Sequence, residues 1–209
     1  MILGMSHIAL SVADIDQKKK QLEKRGFNNI FVEKNIINHP TKKHLLKTYQ
    51  STHEIALFYH PELNQSVEII NHGYVDYDRK GNFNLKNDHI ELSICEESFD
   101  KEQNFWLEVL SFKKTSKNRL VFSSAVPSWS CTIELIEKPK IQPAMLDSQG
   151  YPCLALLTNS LERDLSIASQ LGAYDLTEIF ELDINNRALK ISMFRTPGSA
   201  ICELIQPKG

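Results

Sequence analysis

The chain has 209 residues, of which 42% are hydrophobic, with 24 Lys and Arg against 26 Asp and Glu and a formal net charge of -2. That is enough apolar content for one large domain or two small ones, and the charge balance gives no basic footprint for nucleic acid. No apolar run approaches the ~20 residues of a membrane helix, and the four cysteines lack CxxC spacing, which points to reduced thiols in a cytoplasmic protein rather than a disulfide framework.

The residues Met1-Ile2-Leu3-Gly4-Met5 lack the charged start and apolar stretch of a signal peptide. From His7 to Val12 the chain alternates as a strand, with Ile8, Leu10 and Val12 on one face and His7, Ala9 and Ser11 on the other. A helix is predicted from about Asp14 towards Arg25, with Ile15 and Leu22 buried and Gly26 as its stop. The Lys/His-rich stretch His39–His44 reads as an inserted loop, and Pro61 marks the turn into a last strand bearing Glu68. Tyr59 and His60 fall near that turn without an assignable role. Residues 1–72 form this first unit, and 73–87 are polar with two glycines and read as an exposed linker.

The pattern then recurs. His89 to Ile94 repeats the alternation, a helix starts near Phe99-Asp100 with Phe105 and Trp106 as core, and Pro127 precedes a strand bearing Glu134. This second unit spans 88–138 and is followed by a proline-containing linker, 139–150. The third unit, 151–209, opens at Cys153, has a helix from about Ser160 to Leu171, and closes through Pro197 on Glu203. In each closing strand the apolar neighbours of the glutamate should face the helix-side core and the glutamate the other side. Two copies thus offer a His and a Glu at matching positions, whereas the third has Cys in place of His.

Three βαβββ units in register, carried by SHIALSVADID, DHIELSICEESFD and FRTPGSAICELIQP, resemble the vicinal oxygen chelate superfamily of glyoxalases, bleomycin-resistance proteins and dioxygenases. The resemblance implies a glyoxalase-like α+β fold, in which repeated units form cupped mixed sheets with helices on the outer face. It also implies a metal set of His7, Glu68, His89 and Glu134, from units one and two paired as a cup. The third unit would then pair with its counterpart in a homodimer. A competing arrangement pairs units two and three and gathers His89, Glu134, Cys153 and Glu203.

Two imidazoles and carboxylates around Zn, Ni, Co, Mn or Fe(II) leave positions open for adjacent substrate oxygens. Glu68 or Glu134 could act as the base, giving an isomerase, epimerase or lyase step on a small metabolite. A binding-only protein and an Fe(II) dioxygenase are the alternatives, because one fold hosts all three. Cys153 reads as a small buried apolar residue and Lys18–Lys20 as the wet face of the first helix. Glu91, on the same face as His89, could line the cup, and Trp129 could cap a pocket or simply pack a turn. Arg195 could meet an anionic substrate group if unit three joins the cup.

Overall fold

The structure, a computed structural model, describes residues 1–208; Gly209, the last residue of the expected third unit, lies outside the described residues. The first unit runs β1 (Ile2–Ser11), α1 (Ile15–Lys24), β2 (Asn28–Ile37), β3 (Thr52–His60) and β4 (Gln65–Asn71). The segment expected as the first linker carries β5 (Asp76–Lys80) and β6 (Phe83–Leu85). The second unit has β7 (Ile90–Cys95), α2 (Phe99–Glu108), β8 (Lys113–Lys114), β9 (Arg119–Phe122) and β10 (Cys131–Lys138). The third has β11 (Ser148–Thr158), α3 (Leu161–Gln170), β12 (Phe180–Ile184), β13 (Arg187–Arg195) and β14 (Ile201–Pro207). Among the described residues no helix is long and apolar enough to cross a membrane.

Local signals set the helices. Asp14 caps α1 by accepting from the Gln17 N–H at 2.9 Å, and Gly26, with φ +87°, takes the left-handed turn that ends it. Burial of Ile15 and Leu22 holds α1 on the sheet. On α2, Phe105 and Trp106 are buried, with Trp106 edge-on to Phe112. All three helices pack over the same apolar sheet face, which includes Ile8, Leu10, Val67, Ile69, Leu154, Leu156, Cys202 and Leu204. The neighbours of Glu68 and Glu203 therefore face the helices, as strand parity requires.

The same register occurs in all three segments. In each unit the first strand runs parallel to the last, and the closing glutamate pairs with the residue two after the His or Cys position: Ala9 with Glu68, Glu91 with Glu134, Ala155 with Glu203.

The pairing between units differs from the expected one. β1 lies antiparallel to β11, so units one and three form the joined pair, rather than one with two or two with three. The physical reason is β6. Phe83, Asn84 and Leu85 bond to Leu92, Glu91 and Ile90, which fills the edge of β7 that another unit would need. Phe83 is buried, and β6 also bridges to β11 through Tyr151, tying unit two onto the same sheet. The third unit has its partner within the chain, which removes the reason for a homodimer through it.

Candidate functional site

The β1–β11 register places Ile8 opposite Leu154, His7 opposite Ala155 and Ala9 opposite Cys153. A local two-fold axis therefore passes through the Ile8–Leu154 pair and relates His7 to Cys153 and Glu68 to Glu203. All four side chains line one cavity of about 250 Å³ on the side away from the helices. His7, Glu68 and Glu203 are each less than a tenth exposed.

His7 is held by a hydrogen bond between Nδ1 and Ser6 Oγ at 3.1 Å. Its Nε2 lies 3.4 Å from Glu68 Oε2 and 3.7 Å from Glu203 Oε2, yet it is buried without a well-formed hydrogen bond. Two ligands sharing a tetrahedral ion at ~2.1 Å stand ~3.4 Å apart, so these spacings suit a common ion better than direct hydrogen bonds. Among the described residues, however, no group of three or more His, Cys, Asp or Glu side chains stands in an arrangement that could hold a metal ion. Burial pushes the His7 imidazole down, but Glu68 and Glu203 outweigh this and raise its pKa to about 10. Burial likewise opposes ionisation of Glu68, and His7, with His53 and Lys42, still holds it below the usual carboxylate range. Cys153 is buried and its thiol is pushed well up, mainly by burial.

His89 and Glu134 do not join this cluster. Their side chains meet each other at 3.4 Å, and His89 Nδ1 binds Asp88 at 2.8 Å. His89 lines a different cavity of about 200 Å³, beside Gln65, Cys131 and Thr132. The expected set of His7, Glu68, His89 and Glu134 is therefore split in two, because β7 meets β6 rather than β1. Glu91 turns to Asn84 and Lys86. Arg195 is buried against Asp175 and the carbonyls of Ala144 and Ser199, which accounts for its charge without a substrate. Trp129 packs on β1: a Cβ at position 4 would lie 2.5 Å from its backbone oxygen.

Sequence reading missed Lys42, His53 and His72 as cavity residues. The signal for His72 was present, since Glu68, Ile70 and His72 alternate along one face of β4 and its end. Lys42 sits in the supposed loop, which is a short 3-10 turn, Pro40–Leu45, with Lys42 turned inward.

No protein-family model and no curated protein matches the chain. Among solved structures it is similar to glyoxalase I from Zea mays, with 14% identity over 97% of this chain and 67% of that one, at a TM-score of 0.42. Methylmalonyl-CoA epimerase from Mycobacterium tuberculosis shares 13% identity over 100% of this chain and 91% of its own, at 0.49. A mutant of 4-hydroxymandelate synthase from Streptomyces coelicolor shares 12% over 100% and 94%, at 0.42. The fold is glyoxalase-like. With TM-scores below 0.5, it is the βαβββ strand order and its thrice-repeated register that establish this.

Proposed function

We propose that the chain holds one divalent metal ion between His7, Glu68 and Glu203 and transfers a proton on a small metabolite with adjacent oxygens. The observation that carries this reading is the buried Nε2 of His7, which stands between two carboxylates at ligand-sharing distances inside a cavity and is in hydrogen-bond geometry with neither. Such an ion would supply Lewis acidity to charge developing on a substrate oxygen. Glu68 would take the proton, while Glu203 and His7 stay in position. Ile70, Leu146 and Met193 line an apolar wall of the same cavity. One imidazole with two carboxylates departs from the two-His, one-carboxylate triad of Fe(II) oxygenases, which favours proton transfer over oxygen activation. A cytoplasmic setting and a small-molecule partner belong to the same reading.

Non-catalytic binding is the second reading. It is favoured by the mostly apolar cavity wall and by Cys153 standing where the two-fold axis calls for a second histidine. Metal analysis of purified protein tests the leading reading. Near-stoichiometric metal in the parent and in His89→Ala, lost in His7→Ala and weakened in Glu203→Gln, supports it. No metal in the parent after incubation with Zn, Ni, Co, Mn or Fe(II) sinks it and leaves the binding role.

A further inference from the structure

The same cavity holds a second group of polar atoms that the proposed metal chemistry does not use. Lys42 is only 5% exposed, and no carboxylate lies within ion-pair distance of it among the described residues. Its Nζ lies 5.7 Å from the centroid of the Phe180 ring. Glu68 and Glu203 are turned towards His7 instead. Beside Lys42, the rings of His53 and His72 lie 5.6 Å apart. His53 Nδ1 and both ring nitrogens of His72 are buried with no hydrogen-bond partner.

A buried ammonium that feels Glu203 and Glu68 only at a distance, and three unsatisfied imidazole nitrogens, would each be costly in a dry wall. They line the cavity that also contains the apolar side chains of Phe180, Ile184, Ile191 and Met193. A pocket of this kind, apolar with a few convergent polar groups, has the makeup of a ligand site. We infer that Lys42, His53 and His72 form an anion subsite that seats the carboxylate of a monoanionic ligand, whose aliphatic or aromatic body packs on Phe180, Ile184, Ile191 and Met193. This deepens the proposed function by naming its substrate class, and it rests on that reading only in sharing the cavity. Lys42 supplies the charge, and the neutral imidazoles donate their N–H groups to the carboxylate oxygens.

Calorimetric titration of the chelator-treated full chain with hexanoate, and with hexanamide as the uncharged control, tests the subsite. Hexanoate should bind at least about 10-fold more tightly than hexanamide. Lys42→Met should lose that preference while leaving hexanamide affinity unchanged, and His72→Phe should weaken hexanoate alone. Removing a buried charge whose burial outweighs the pull of Glu203 and Glu68 should leave the melting temperature equal or higher, and Lys42→Gln serves as a second variant should Lys42→Met not fold. Equal affinities for the two probes, or undiminished hexanoate binding by either Lys42 variant, would overturn the inference. The chelator separates the two proposals. Lys42-dependent hexanoate binding in a chain that never takes up metal keeps the subsite and removes the metal chemistry. Metal uptake through His7 without a hexanoate preference does the reverse.

Discussion

Chelator-treated protein should be most stable near pH ~6.5 and lose stability on both sides, because four buried groups of one cavity titrate far from their unfolded values. Burial lowers His53 to about 3 and lowers His72 as well, with Lys42 adding to both shifts. Both rings stay neutral in the folded chain, while the unfolded chain protonates them below pH ~6.5. Stability should therefore fall as acid is added from pH ~6.5 towards ~5, by up to ~2.7 kcal/mol per unit for two protons. His7, raised to about 10, has the opposite sign. Its contribution is complete below pH ~6.5, where both states carry the proton, and drains away by ~1.4 kcal/mol per unit above it until the folded ring titrates. Lys42, lowered to about 8 chiefly by burial, offsets this at higher pH, because its unfolded form keeps a proton that the folded form has released. The decline should flatten there. The buried thiols Cys131, Cys153 and Cys202, all pushed up by burial, add a further fall above pH ~8.5 in parent and variants alike. Differences between proteins isolate the cavity groups. Urea midpoints from pH ~5 to ~9 at constant ionic strength read the profile. His7→Gln should remove the decline above the maximum, and Lys42→Met should carry it on without flattening. Parallel profiles for parent and both variants would refute the linkage argument and the burial of these groups together.

Three further outcomes follow from the packing. Phe83→Ala deletes a ring buried where β6 joins units two and three, and should cost ~3–5 kcal/mol in denaturant unfolding; a loss below ~1 kcal/mol would mean that β6 is not structural. Gly4 has φ +152° with Trp129 backbone against it, so Gly4→Ala should destabilise by ~1–3 kcal/mol, and an unchanged melting temperature would contradict that close approach. Cys153→His restores the partner that the local two-fold axis relates to His7, and should tighten Zn binding by about 10-fold or more in a chelator competition. Unchanged affinity would place Cys153 outside the cluster.

Much of the architecture could be read from the chain. Asp14, Gly26 and the spacing of Ile15 and Leu22 fixed α1 to within a residue, because caps and amphipathic spacing are local properties. Strand parity assigned each closing glutamate to the face away from the helices, whereas the parallel pairing of first and last strands emerged only in the structure. Glu68 and His7 lie 3.4 Å apart, because one unit positions both. Which unit would complete the site was not determined by any local pattern. All three opening strands are apolar on one face and could pair with one another. The choice was made by Phe83–Leu85, a short strand in a segment that read as polar linker, which occupies the β7 edge and leaves β11 to meet β1. That tertiary competition separated His89 and Glu134 from His7, brought in Glu203 and Cys153, and folded Lys42 inward to face His53 and His72. Sequence determined the units and their faces; the free energy of filling one strand edge rather than another decided which faces share a cavity.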